Sequence, residues 1–194
     1  MDLNAHVTIT PQMFAVDPQE FTLVPGGTYT VSDLLHVLLL PSSNVAAEAL
    51  AEAYGRDQFL ALMNQKAAQL GMANTYYDDP SGLSAANQSS AHDLLLLGQD
   101  INAHYPELLA VTRVPHVTIT NLVNGQKAPV NSIDSFAGNP DFIGGKTGHT
   151  DEASGNLFTI FNYNNHPLLI VVLGTDDRFG DTSKLYSWVK SNYR

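Results

Sequence analysis

The apolar residues of this chain change their spacing once, near His116, and that single change limits the folds open to it. Before it the spacing is helical. Thr30-x-x-Asp33 reads as a capping box that opens an apolar helix through Leu40, and Pro41 ends it. A second helix, Val45 to Tyr54, is rich in alanine and stops at Gly55. A third runs from about Asp57 to Leu70, with Phe59, Leu60, Met63, Ala67 and Leu70 on one stripe, and closes at Gly71. Ser90-x-x-Asp93 caps another helix leading into Leu94 to Leu97, and a short one follows Pro106 through Val111.

After His116 the period falls to two. Val117 to Thr120 alternates, and Asn124-Gly125 marks a turn. Phe142 to Gly145 leads into Lys146-Thr147-Gly148. Leu157 to Tyr163 and Leu168 to Gly174 read as two strands joined through Asn164-Asn165-His166 as a hairpin. A terminal helix, about Thr182 to Tyr193, presents Leu185, Trp188 and Val189 on one side. Near the start, His6 to Thr10 reads as a short strand and Pro25-Gly26-Gly27 as a turn, while residues 72–89 are loop-like around Asp79-Pro80-Ser81-Gly82. The order is a helical block, an antiparallel sheet and a helix returning to cover it, which predicts an α+β fold. No repeat, low-complexity tract or linker interrupts it, so residues 1–194 are expected to form a single domain.

Composition narrows the function classes. Acidic residues outnumber Lys and Arg 19 to 9, for a net charge of -10, which disfavours nucleic acid and anionic lipid as partners. The chain has no cysteine, so disulfides, thiol catalysis and thiolate metal sites are excluded. Its seven histidines show no metal-ligand spacing, so neither a metal nor a cofactor is expected. No apolar run reaches the roughly 20 residues that span a bilayer, and Met1 to His6 carries neither a basic nor an apolar leader pattern. From these features a soluble chain without an export signal is expected.

Two short motifs carry the chemistry. Ser42-Ser43-Asn44 lies in the joint between two helices, and Lys146-Thr147-Gly148 ends a strand entered through Gly144-Gly145. Alone, the first is an ordinary cap or turn and the second an ordinary tripeptide. Together, in this order and setting, they resemble the second and third signature elements of the penicillin-binding proteins and serine β-lactamases. The resemblance implies that transpeptidase-like fold, with a cleft between the two motifs. It implies Ser42 for proton relay, Asn44 for the substrate amide, and Lys146 with Thr147 for a terminal carboxylate. Gly148 would let substrate backbone lie against the strand, and His149 would stand at the lip of the cleft on the substrate-binding side.

Further stretches are similar to the low-molecular-weight D-alanyl-D-alanine carboxypeptidases. They are Pro25-Gly26-Gly27-x-Tyr29-Thr30-Val31, Ala46 to Ala51, Leu70-Gly71-Met72-x-Asn74-Thr75, Gly82-Leu83, Lys146 to Ala153, and Val171 to Gly174 with Asp177-Arg178. That resemblance implies a serine-type hydrolase acting on peptidoglycan stem peptides ending in D-Ala-D-Ala through an acyl-enzyme. It also implies inhibition by β-lactams and an extracytoplasmic setting. Two departures stand out: Val45 replaces a frequent aspartate, and the family's first element, Ser-x-x-Lys, does not precede Ser42. The literal Ser187-Trp188-Val189-Lys190 lies in the terminal helix and reads as an exposed face. The N-terminal part of the fold is therefore expected to be missing and the chain alone to be inactive or nearly so. A groove left by that part could be filled by the segment itself or by self-association. The alternative is a non-catalytic homologue that binds peptidoglycan peptides or another protein.

Overall fold

The computed structural model describes residues 1–17 and 22–193. Strand β1 (His6–Thr8) pairs antiparallel with β2 (Thr28–Thr30), and a 3-10 turn over Pro11–Ala15 follows β1. The helices are α1 (Val31–Leu39), α2 (Asn44–Tyr54), α3 (Arg56–Gln69), α4 (Ala91–His104) and α5 (Pro106–Arg113). A hairpin of β3 (His116–Thr120) and β4 (Lys127–Asn131) then precedes the main sheet. That sheet is antiparallel in the order β5 (Phe142–Thr150), β6 (Ser154–Tyr163), β7 (His166–Thr175), and α6 (Arg178–Asn192) closes the fold. The expected α+β arrangement of a helical block and an antiparallel sheet is present.

Local chemistry explains where the elements begin. The Thr30 hydroxyl accepts the Asp33 amide at 2.9 Å and starts α1, and Ser90 does the same for α4 through the Asp93 amide at 3.1 Å. Gly55 takes a positive φ of 100° between α2 and α3, a conformation most side chains resist. The β6–β7 connection is a two-residue turn: Asn164 and Asn165 have φ of 52° and 65°, and His166 already pairs with Tyr163. In the middle loop the Asp79 carboxylate accepts the Ser81 and Gly82 amides, both at 2.6 Å, and that of Ser84. The buried Asp93 accepts the Asn74 amide and the Thr75 hydroxyl, each at 2.8 Å, tying this loop to α4.

Two apolar clusters hold the molecule. The larger joins Val7, Ile9, Leu34, Val37, Val45 and Ala49 with Ile119 and Val130 of the β3–β4 hairpin. The smaller joins Phe142, Phe161, Ile170 and Val172, with Tyr186 of α6 packed against them. Because successive strand residues face opposite ways, Phe161 meets α6 while Phe158 meets α4. A Cβ added to Gly98 of α4 would lie 2.7 Å from the Phe158 ring.

Helix α6 begins four residues earlier than its apolar pattern predicts and packs through a different stripe. Leu185 is 44% exposed and Trp188 54% exposed. The buried side instead carries Thr182 and Tyr186, the latter stacked on Phe161 with centroids 4.3 Å apart at 10°. Parallel stacking of two rings sets the rotation of the helix, and Leu185 and Trp188 are carried outward with it. Phe161→Ala is expected to cost about 3–5 kcal/mol in urea unfolding. Trp188→Ala should stay within about 0.5 kcal/mol.

Candidate active site

The joint between α1 and α2 is rigid for reasons visible in its hydrogen bonds. The Ser43 amide donates to the Val37 carbonyl at 3.1 Å, and its hydroxyl accepts the Ala46 amide at 3.1 Å, which caps α2. The Ile133 amide donates to the Leu40 carbonyl at 3.1 Å, so the segment after β4 is fastened to the same joint. Every residue of α2 from Val45 to Ala51 is buried. Between these anchors Ser42 adopts a φ of 64°, an uncommon conformation for a side chain other than glycine, asparagine or aspartate. Such local strain persists only where surrounding contacts impose it.

The other wall is the outer strand of the main sheet. Gly144 and Gly145 let α5 and β6 approach it closely. A Cβ on Gly144 would fall 2.7 Å from the Thr112 hydroxyl, and one on Gly145 would fall 2.4 Å from the Phe158 carbonyl. The Thr112 hydroxyl accepts the Gly145 amide at 3.0 Å and donates to the Leu109 carbonyl at 2.8 Å, locking α5 to β5. Lys146 follows immediately, and its direction is set by this packing.

The two walls meet in one contact. The Lys146 Nζ donates to the Ser42 Oγ at 2.5 Å and to the Thr147 carbonyl at 2.7 Å, joining residues 104 positions apart. Lys146 and Gly148 face an apolar groove of about 380 Å³, walled by Leu94, Leu97, Leu108 and Leu109. Thr147, between them, is buried and lines the same groove. A Cβ on Gly148 would meet only Asn156, at an ordinary 3.8 Å, so the chain's own packing does not demand glycine there. Asn44 opens α2, and its amide donates to the Asp17 carboxylate at 3.2 Å. His149 is exposed on the same strand, opposite Gly155. Thus Ser42, Lys146 and Thr147 are brought together, while Asn44 is engaged with Asp17 and His149 stands outside.

Burial pushes the Lys146 ammonium down to about 8, with Arg178 acting in the same direction and Asp134 against it. Neither neighbour belongs to the two motifs: Asp134 lies in the turn after β4, and Arg178 opens α6 directly after Asp177. In the structure Asp177 caps α6 by accepting the Gly180 amide at 2.9 Å, and Arg178 packs beside Gly155. Ser187 is exposed, and Lys190 lies 5.0 Å over the Tyr186 ring on α6, so Ser187-x-x-Lys190 is an outer helix face, as expected. Among the described residues no group of three or more His, Asp or Glu could hold a metal ion.

Residues 1–177 match the D-alanyl-D-alanine carboxypeptidase family. The chain belongs to that family. It is 36% identical over 157 residues to the D-alanyl-D-alanine carboxypeptidase DacB2 of Mycobacterium tuberculosis, covering 79% of this chain and 53% of that protein. It is 34% identical over 175 residues to a D-alanyl-D-alanine endopeptidase of Pseudomonas aeruginosa, covering 86% of this chain and 56% of that one. The chain therefore spans about half the length of these curated relatives. Among solved structures, a Mycobacterium tuberculosis D-alanyl-D-alanine carboxypeptidase superposes with a TM-score of 0.87 at 29% identity, covering 98% of this chain and 75% of that one. A Streptomyces DD-transpeptidase gives 0.87 at 25%, covering 98% and 80%. The fold is that of the penicillin-binding DD-peptidases.

Lys146 gives a pH signature. Its proton is held less tightly in the folded chain than in the unfolded one, between about 8 and the ordinary 10.5. The unfolded state binds more protons in that window, so folding stability gains as pH rises through it. The stability difference between Lys146→Met and the unsubstituted chain should shift by about 1–3 kcal/mol in favour of the latter from pH 7 to 10.5, measured by denaturant unfolding.

Proposed function

We propose that this chain forms two walls of a serine-type D-alanyl-D-alanine carboxypeptidase domain acting on peptidoglycan stem peptides. The observation that carries the reading is the Lys146–Ser42 contact of 2.5 Å, which couples the two family motifs across the cleft. A cation, a hydroxyl and an exposed strand edge on one side suit a peptide that ends in a free carboxylate. Lys146 and Thr147 would hold that carboxylate, Gly148 would admit the peptide backbone, His149 would border it, and Asn44 would take the substrate amide. Ser42, its oxygen accepting from Lys146, would relay the proton lost by the nucleophile to the departing D-alanine amine.

The nucleophile in this reading is a serine of a Ser-x-x-Lys segment outside residues 1–194. Its oxygen would attack the carbonyl of the penultimate D-alanine, and the peptide C–N bond would break to release D-alanine with the proton. Water would then hydrolyse the ester. β-Lactams would be held at the first stage. Residues 1–194 alone are inactive in this account, because carboxylate binding without a nucleophile leaves only residual catalysis. The natural occupant of the Lys146 groove in this reading is that segment, consistent with relatives of which the match covers only 53% and 56%. The apolar lining suits the buried side of a helix better than water. The setting is extracytoplasmic in this reading, and no helix among the described residues is long and apolar enough to cross a membrane.

A fluorescent penicillin separates this reading from a non-catalytic peptide-binding homologue. Intact mass should show no covalent adduct on residues 1–194, and an adduct should appear once the Ser-x-x-Lys segment is supplied in the same chain. Reversible binding of a D-Ala-D-Ala peptide should weaken about tenfold in Thr147→Val, the loss of one hydrogen bond to a charged group. An adduct at Ser187 would refute the reading. Peptide binding with no labelling even in the extended chain would favour the binding homologue.

A further inference from the structure

Asp134 is a buried carboxylate without an adequate partner. It is 9% exposed; its Oδ1 accepts the Phe136 amide at 2.9 Å, while its Oδ2 is sealed from solvent and accepts nothing. A buried carboxylate oxygen left unpaired is costly unless nearby positive charge compensates it. Burial raises the proton affinity of Asp134, and the Phe136 amide and two cations act against that rise. Lys146 and Arg178 both act electrostatically on Asp134, and among the described residues neither forms a direct ion pair with it. Arg178 is itself unusual: it occupies the first turn of α6, where the helix dipole disfavours a cation, and its Nε is buried without a partner. Charged groups from the turn after β4, the strand β5 and the start of α6 are thus close enough to act on Asp134 and Lys146.

The backbone makes the convergence specific. The Ile133 amide donates to the Leu40 carbonyl, two residues before Ser42, and the Asp134 amide donates to the Ser132 hydroxyl at 3.1 Å. Asp134 is therefore fastened to the same joint that presents Ser42 to Lys146.

We propose that Asp134 is a positioning residue for Lys146: its buried carboxylate is the counter-charge that holds the Lys146 ammonium at the Ser42 hydroxyl, balanced against repulsion from Arg178. This deepens the role of Lys146 in the proposed cleft and rests on that reading for its meaning in catalysis. The groups that face Lys146 are Asp134, Arg178 and the Ser42 hydroxyl. Burial lowers the Lys146 proton affinity, Arg178 lowers it further, and Asp134 restores part of it. Without Asp134 more of the lysine is neutral at physiological pH, and a neutral amine neither holds Ser42 as firmly nor binds a carboxylate.

Lysine-labelled protein, residues 1–194, tests this by NMR, with the Lys146 resonance assigned by its loss in Lys146→Met. The midpoint is expected near 8 in the unsubstituted chain. It should fall by at least about half a unit in Asp134→Asn, which keeps the Phe136 bond, and rise in Arg178→Gln. An unmoved or rising midpoint in a folded Asp134→Asn protein overturns the proposal. Should that variant not fold, the Asp134 carboxyl carbon of the unsubstituted chain replaces it. A second inflection there at the pH where Lys146 titrates supports the proposal, and a flat trace overturns it. Neither readout needs a ligand. Absence of penicillin or peptide binding would defeat the cleft reading alone, and an unmoved midpoint with binding intact would defeat the Asp134 role alone.

Discussion

The structure depends on the enclosure of α2. Seven consecutive residues, Val45 to Ala51, are buried on all sides, including Glu48, whose carboxylate is neutralised by Arg56 at 2.8 Å. A helix buried all round cannot rotate to relieve its ends, so the chain before it must take the shape the surroundings allow. Alanine serves here because small side chains let α1 and the β1–β2 pair approach closely. The cost appears at Ser42, whose φ of 64° is imposed by helices fixed on both sides.

The opposite wall is rigid for a complementary reason. Gly144 and Gly145 remove the side chains that would hold α5 and β6 away from β5, and Thr112 bonds across the space they vacate. Lys146 is thus delivered from a strand that cannot shift onto a serine that cannot turn. Close packing on both sides permits one 2.5 Å contact where flexible walls would average many longer ones. The charges near it follow the same logic: where burial limits screening, Asp134 and Lys146 alter each other's proton affinity and Arg178 lowers that of both.

Much of this was legible in the residues. Capping threonine and serine at 30 and 90, the glycines at 55 and 71, and the change of period near His116 give the order of helices and strands, because these signals act over a few neighbouring residues. Both motifs were legible too, since Ser42-x-Asn44 and Lys146-Thr147-Gly148 are contiguous in the chain. The stripe of α6 was not. Leu185, Trp188 and Val189 form a plausible apolar side, yet with Tyr186 stacked on Phe161 only Val189 is half-buried, and Leu185 and Trp188 face outward. A helical wheel records which residues share a side, and it cannot record which partner ring will be opposite.

The sequence by itself determined the α+β order, the absence of thiol chemistry, and the residue types of both cleft walls, all of which follow from local patterns or composition. Only the tertiary structure decided that Lys146 reaches Ser42, that Asn44 bonds Asp17 while His149 stays exposed, and that Asp134 and Arg178 flank the lysine. The physical reason is separation along the chain. Contacts between residues 42 and 146, or among 134, 146 and 178, leave no periodicity to read, because they are set by how finished elements pack. A buried carboxylate and a turn carboxylate have the same letter, and only the surrounding volume tells them apart.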